Sequence, residues 1–430
     1  MSRSRLRLIL GVATLAYFAA VVNRSSMGVA SLDAAERFQV SAADLSLLTV
    51  VQLATYALFQ IPVGLVLDRV GSKFTISLGV AAIGLGQLLV GYTDMLFLAL
   101  VGRIAVGFGD AFVFISMLRL VNGWIHGPKA TKIQQLLTNL GQLGQIFSAI
   151  PFVGLLHNIG WNAAFWVIGF FSLAVSLVVI TLIQDPVNHE RPETIRHAFA
   201  GLRQSVRQPV VRMAFWVHYS LQSAASVFIL LWGYPYLVVG QRVDPALASL
   251  LLGSFVIAGF LTGPIVAQLC TRFPLRRSNL VFAFGGFAIF AWVLVLSFPA
   301  PAPIWVVILL VIALAMAGPA SMIAFDLTRS SVDFSKLGSA NGFVNIGGFL
   351  ATFCMMYASG LVVDLYTGGS RFGLGINPEA FRLAMLVPLV NLLFGLSMVA
   401  LERRKSRAVL AAQGIRVSPL LSAAKNKLWK

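Results

Sequence analysis

The sequence predicts an all-α integral membrane protein with twelve transmembrane helices in two pseudo-symmetric six-helix bundles. Three observations carry that prediction. Apolar blocks of about twenty residues recur along the chain, the length a helix needs to cross ~30 Å of hydrocarbon. Hydrophobic residues make up 58% of the 430 and charged residues only 11%, too few to cover a water-facing surface of this size. A polar stretch at 184–210 divides the blocks six and six. The ten-residue alternation of a transmembrane barrel does not occur in the sequence.

The spans are read as 8–30, 46–66, 74–92, 95–118, 133–157, 162–183, 211–238, 246–270, 279–298, 304–326, 340–363 and 381–401. This gives an N-terminal bundle at 1–183, a linker at 184–210, a C-terminal bundle at 211–401 and a basic tail at 402–430. The first block is too long, and too polar at its end, for a cleaved leader, and is read as a retained span. The net charge of +17 raises nucleic acid as a partner, but its placement argues against that. Only Arg37, Arg242, Arg371 and Arg382 fall on one side, and Arg24 and Arg103 lie within spans. The remaining Lys and Arg fall on the other side, which the positive-inside rule makes cytoplasmic, together with both termini. The localisation expected is therefore the cell (inner) membrane. Cys270, Cys354 and the scattered histidines lack metal-ligand spacing, so neither a metal nor a disulfide is expected.

The halves echo each other. Arg69 after span two aligns with Arg272 after span eight at an offset of 203, and Asn139 in span five with Asn345 in span eleven at 206. Two matches at nearly one offset point to a duplicated six-helix unit, with a solute site expected near the midplane between the copies.

The loop after span two reads GLVLDRVGSK. Its glycines let helix ends approach closely, and Asp68 is suited to pairing with a cation or capping a helix N-terminus. Gly64, Asp68, Arg69, Gly71 and Lys73 are thus candidates for a cytoplasmic gate, the plainer alternative being a basic loop that only fixes orientation. These five residues, their spacing and their place after span two resemble the loop signature of the major facilitator superfamily. In the second half Thr271 stands where the acid would be, so the expected latch is asymmetric.

Span four carries VGRIAVGFGDAF, in which Arg103 and Asp110 are seven residues apart and so share one helix face at about 10 Å, with Gly107 between them. Charges inside a membrane face a cavity or a partner. Arg103, Gly107 and Asp110 resemble the superfamily's anion–cation symporter branch, which includes sugar-acid/proton symporters. Asp110 is read as a proton-coupling carboxylate with Arg103 near it, or else as half of a structural ion pair between spans one and four. In span one, Arg24 resembles the arginine that contacts the substrate's anionic group in sugar-acid and organophosphate transporters, a task that suits its bidentate fork. Asn23 precedes it, where the proton-coupled sugar-acid branch often has an acid. Span seven lacks the basic residue of the organophosphate exchangers and offers His218, Tyr219 and Gln222. Span five keeps only Pro151 and Gly154 of the antiporters' Gly-Pro-x-x-Gly-Gly motif, which disfavours drug–proton antiport.

Further polar residues within spans are candidates for the substrate cavity: Gln60 in span two, and Asn139, Gln142 and Gln145 in span five, spaced to run down one side of the helix. Asn345 is the repeat mate of Asn139. Trp232, Tyr234 and Tyr236 are read as an interfacial belt, with Gly233 and Pro235 loosening the helix among them. Asp326 and Arg329, three apart, are assigned to the cytoplasmic gate or to a local pair. Arg403, Arg404, Lys405 and Arg407 beside span twelve are expected to meet anionic headgroups.

No Gly-x-x-x-x-Gly-Lys-Ser/Thr motif and no nucleophile–base pair is visible, so neither nucleotide-driven transport nor enzyme activity is expected. The resemblance implies a secondary transporter for a small organic anion, a sugar acid or other carboxylate, coupled to protons and working as a monomer without a cofactor. The alternatives are an exporter or exchanger of amphipathic compounds and a transporter-like solute receptor.

Overall fold

The computed structural model describes residues 2–125, 128–185, 203, 205–332, 337–369, 372–373 and 376–414, and the regular structure among them is all helical. Most of the linker, Arg371 and tail residues 415–430 lie outside the described residues, as do the side chains of Gly64, Asp68 and Arg69.

Span one is Arg3–Val29, and a short helix, Ser31–Phe38, leads from it. Ala42–Tyr92 carries spans two and three, broken at Gly71, and span four is Leu96–Trp124. Pro128–Phe147 runs through a widened turn containing Pro151, Ser148–Phe152, into Val153–Leu182. The apolar stretch Leu136–Leu182 has 47 residues, which at 1.5 Å per residue is about 70 Å, enough for two crossings. Its break at Gly160 makes them spans five and six.

Span seven begins at Pro209–Val227 and continues through widened turns at Phe228–Trp232 and Tyr236–Gly240, either side of Gly233–Pro235. Span eight is Pro245–Arg272, span nine Arg277–Ser297, and span ten Ile304–Ser321 with the short extension Ile323–Arg329. Span eleven is Leu337–Thr367, and span twelve is Pro378–Ala384 with Leu386–Ala412. The start positions are legible in the chemistry: Ser41, Asp244 and Asn377 accept from the first free N–H groups of the helices they open.

Without a hydrophobic drive between helices in lipid, close crossings need small residues. Spans three and four cross where Gly79 meets the Gly109 carbonyl and Gly86 the Gly102 carbonyl. Span four meets span two at Gly107, where an added Cβ would lie 2.2 Å from the Gln52 carbonyl oxygen. Span five lies on span one at Gly141, against Tyr17, and at Gly144, against the Phe18 carbonyl. Span eleven lies on span seven at Gly347, against Phe215, and at Gly348, against His218.

The end carrying the 2–3 loop and the tail after span twelve is called the basic end, and the opposite one the far end. At the far end the halves are in contact. Gly28 of span one abuts the Leu230 carbonyl, and Gly360 of span eleven abuts the Ala42 carbonyl. The Asp364 carboxylate accepts from the Ala42 and Ala43 N–H groups at 2.8 and 3.0 Å, capping the start of span two, and Phe372 N–H donates to the Val40 carbonyl at 2.8 Å.

The interfacial belt expected from Trp232, Tyr234 and Tyr236 is not what forms: all three are buried. Trp232 donates to the Met356 carbonyl at 2.9 Å and stands edge-on to Phe372 and Phe381. The Tyr236 hydroxyl accepts from Gln241 at 2.9 Å, beside Trp292. The far-end turn of span seven is covered by spans one and eleven and by Phe372 and Phe381, which takes these rings away from the membrane surface.

Candidate functional site

Span one brings Arg24 against Asp110 of span four. Arg24 Nε donates to Oδ2 at 2.6 Å and Nη2 to Oδ1 at 2.7 Å, a bidentate pair. The Asp110 side chain is 1% exposed and that of Arg24 14%, so the pair is shielded while the cation keeps one open edge. The Tyr56 ring of span two lies under the guanidinium at 5.3 Å. A buried pair of this kind holds only because its geometry repays the lost hydration, and removal of one partner leaves an uncompensated charge.

Arg103 shares a face with Asp110 along span four, but its hydrogen bonds lead elsewhere. Its Nε donates to the Leu48 carbonyl at 2.9 Å, its Nη1 to the Asn23 carbonyl at 3.5 Å, and its Nη2 to Gln52 Oε1. The guanidinium is wholly buried and ties spans one, two and four together. Asn23 faces away from Arg24: its amide donates to the Ala19 carbonyl at 2.7 Å and to Ser172 of span six at 2.9 Å.

Gln142 of span five donates to the Tyr17 hydroxyl at 2.8 Å, and Gln145 donates to Gln142 Oε1 at 2.5 Å, a relay running from span five to span one. Asn139, the third member of that stripe, is exposed and outside the relay. Gln60 stands one turn beyond Tyr56 in span two, its Nε2 buried without a partner.

The second half supplies an uncharged counterpart. His218 of span seven is buried against Asn345 and the Ser321 backbone, with Phe325 edge-on at 5.0 Å and Nδ1 unpartnered. Gln222, one turn on, accepts from Ser321 at 3.0 Å and donates to Ser226 at 2.9 Å. Tyr219 is directed away from this group, toward Trp216 and the Phe394 ring of span twelve. The two groups approach each other where Tyr56, beneath Arg24, meets Phe349, next to Gly348, at 5.0 Å.

At the basic end, Gly71 takes φ 84° and ψ 171°, a conformation open to glycine. Asp185, just after span six, then accepts from the Ser72 N–H at 2.7 Å and the Lys73 N–H at 3.1 Å. A Cβ on Gly71 would lie 2.4 Å from Asp185 Oδ2. The acid that caps span three is therefore Asp185, which the sequence reading did not single out; the side chains of Asp68 and Arg69 lie outside the described residues. Asp326 and Arg329 form a local pair at 2.5 Å, and Thr271 bonds within its own helix to the Ala267 and Gln268 carbonyls. Tyr17, Gln52, Tyr56, Ser172 and Ser321 are further residues that sequence reasoning missed. A tyrosine one turn or two from a buried charge is the only local signal that was there to find.

Among the described residues no group of three His, Cys, Asp or Glu side chains is placed to hold a metal ion. What the site has is a buried carboxylate, a guanidinium fork with an open edge, and, across the Tyr56–Phe349 contact, a set of amide and hydroxyl groups in the second half.

The family model described as Major Facilitator Superfamily matches residues 13–356. Among curated proteins, the chain is 28% identical over 200 residues to a probable galactarate/D-glucarate transporter of Escherichia coli (strain K12), a match covering 44% of each chain. It is 26% identical over 166 residues to a probable L-galactonate transporter of the same strain, covering 38% of this chain and 37% of that one. It is 26% identical over 185 residues to a probable sulfoacetate transporter of Cupriavidus necator, covering 43% of each. The matched stretches thus span less than half the length of these relatives. Among solved structures, a bacterial homolog to the human lysosomal transporter Spinster, inward-facing and occupied, superposes with a TM-score of 0.75 at 19% identity, over 94% of this chain and 98% of that one.

Proposed function

The chain belongs to the Major Facilitator Superfamily, and we propose that it is a secondary active transporter moving a small organic anion, a sugar acid or other carboxylate, in symport with protons. The observation that carries this reading is the bidentate Arg24–Asp110 pair. The printed names of the relatives, which cite sugar acids and sulfoacetate, support an anionic substrate.

On this reading the pair is the coupling element. With Asp110 ionised, both donors of the Arg24 fork are taken, and an incoming carboxylate has to compete with it. A proton on Asp110 removes one charge of the pair and frees the fork, so proton and anion bind together and leave together. Tyr56 keeps the guanidinium in place when Asp110 lets go. Gln60, Gln142, Gln145, His218, Gln222 and Asn345 meet the substrate's hydroxyls from both halves. Arg103 and Asn23 hold the helices that carry the pair.

The two bundles, 1–183 and 211–401, are the bodies that rock about this site, joined by the linker 184–210 and trailed by the tail 402–430. The far-end contacts, Gly28 on Leu230 and Asp364 on Ala42 and Ala43, form the closed gate of this state. Gly64 to Lys73, capped by Asp185, with Asp326 and Arg329, belong to the gate at the basic end. The basic end faces the cytoplasm, with both termini, in the inner membrane.

The test is uptake into proteoliposomes of labelled sugar acids, other carboxylates, phosphorylated sugars and neutral sugars, with and without an inward proton gradient. One carboxylate is expected to accumulate only when protons flow in, and Asp110→Asn is expected to keep exchange while losing accumulation. Undiminished accumulation by Asp110→Asn would remove the coupling role, and movement of neutral sugars alone would remove the anionic substrate.

A further inference from the structure

A second cavity lies away from this site, wholly within the second half at the basic end. It encloses about 600 Å³ between the start of span seven, the 8–9 loop, the end of span ten and the tail end of span twelve. Three cations line it: Arg277, Arg403 and Arg407.

None of the three is in an ion pair among the described residues. Two acids nearby among the described residues are already engaged. Asp326 holds Arg329 at 2.5 Å, and Glu402 holds Arg212 at 3.0 Å and Lys405 at 2.7 Å. Arg277 spends one nitrogen, Nη1, on the Asp326 carbonyl and the Ser330 hydroxyl at 3.0 and 2.9 Å. Arg403 lies over the Phe282 ring at 5.3 Å and donates through Nη2 to Asn279.

Three polar atoms at this cavity are buried with no hydrogen-bond partner: Arg277 Nε, Arg403 Nε and Ser406 Oγ. A buried donor left unpaired is costly, so these cavity-lining residues have hydrogen-bonding capacity that the described protein groups do not fill. Arg403 and Arg407 also stand four apart on one helix, a repulsive like-charge spacing unless an anion lies between them.

An acceptor that fills this capacity has to be anionic, with several oxygens, because the donors are guanidiniums and hydroxyls set around a common space. The rest of the lining is apolar, with Met213, Leu275, Leu327 and Val409 among it. Leu275 and Val409 are exposed at the surface of the bundle. A compact anion with a greasy attachment fits both halves of that lining.

We propose that this cavity binds the phosphate of an anionic phospholipid from the adjoining leaflet, with Arg277, Arg403 and Arg407 around the phosphate and the acyl region leaving past Leu275 and Val409. Such a lipid would join the ends of spans seven, nine and twelve, independently of the transported solute.

The test uses the full chain in detergent, by native mass spectrometry and thermal unfolding, with phosphatidylglycerol, phosphatidylcholine or inorganic phosphate added. Phosphatidylglycerol is expected to be retained at one molecule per chain and to raise the unfolding temperature, while phosphatidylcholine does neither. Arg277→Gln and Arg403→Gln should each weaken retention about fivefold, the value of one cation near an anionic headgroup. Arg407→Gln, at an exposed position where folding is safe, should weaken it by a similar factor, whereas Arg404→Gln, outside the cavity, should leave it unchanged. Equal retention of the two lipids, unchanged binding in the three lining variants, or stabilisation by inorganic phosphate without phosphatidylglycerol retention would overturn the lipid assignment.

Discussion

Span five lies on span one through Gly141 and Gly144, and span eleven lies on span seven through Gly347 and Gly348. The backbone is the same device used twice, and the two crossings carry different chemistry. In the first half the helices around the crossing bring together a buried acid, Asp110, its partly exposed partner Arg24, and a second, buried cation, Arg103, that bonds elsewhere. In the second half the same place holds His218, Gln222, Ser321 and Asn345, and among their described contacts there is no carboxylate. The packing device is shared by the two crossings, while the charge is concentrated on one side. Under the proposed coupling a single charged half is enough, because the other half would only have to present neutral groups to the far side of a solute.

The largest test of that difference concerns the ion pair. Arg24→Gln or Asp110→Asn alone strands a buried charge and is expected to cost about 3–5 kcal/mol, read as a lower unfolding temperature in detergent. The double variant should recover most of that stability and still fail to accumulate substrate. His218→Gln in the second half strands no charge and should cost under about 3 kcal/mol. If His218→Gln proves as damaging as either member of the pair, the contrast between the halves is gone.

The loops at the basic end give a second, smaller contrast. Gly71→Ala forces a side chain into a conformation that costs about 1–3 kcal/mol and pushes Asp185 off the start of span three. Thr271→Ala, at the equivalent loop of the second half, removes only bonds within its own helix and should stay within about 0.5 kcal/mol. Chemical denaturation of the two variants side by side measures this, and an equal loss in both would mean the second loop is latched too.

The smallest effect separates the crossings themselves. A Cβ on Gly144 meets main chain, the Phe18 carbonyl at 2.7 Å and the Val22 nitrogen at 3.0 Å, so the helices have to part. A Cβ on Gly348 meets the His218 ring at 2.5 Å, which is able to turn. Gly144→Ala should cost about 1–2 kcal/mol and Gly348→Ala under about 1, resolvable by thermal unfolding.

Helix number was legible because hydropathy is a local property of a chain. The same locality explains what the sequence hid. Seven residues in one helix place Arg103 and Asp110 on a common face, yet Asp110 is held by Arg24, 86 positions away, while Arg103 serves spans one and two. Periodicity reports which residues share a face and is silent about which face of another helix lies opposite. The rings at 232–236 stand near the end of an apolar run, as belt residues do, and their burial follows from spans one and eleven closing over them. Asp185 reads as an ordinary residue after a helix until Gly71 turns the neighbouring chain toward it. Pro151, Gly233 and Pro235 did mark the places where spans five and seven widen.

The far-end contact made by Asp364 has an asymmetric vulnerability. Its acceptor is one side chain, but its donors are the main-chain N–H groups of residues 42 and 43. Nearly any amino acid at those two positions can supply the donors, proline excepted, so the hydrogen bonds themselves ask little of the first half's sequence, although its packing at Gly28, Ala42 and Ala43 is tight. The side-chain half of those two hydrogen bonds rests on one carboxylate in the second half. A single codon change at Asp364 therefore removes both bonds at once, and no side chain at 42 or 43 can replace the lost acceptor.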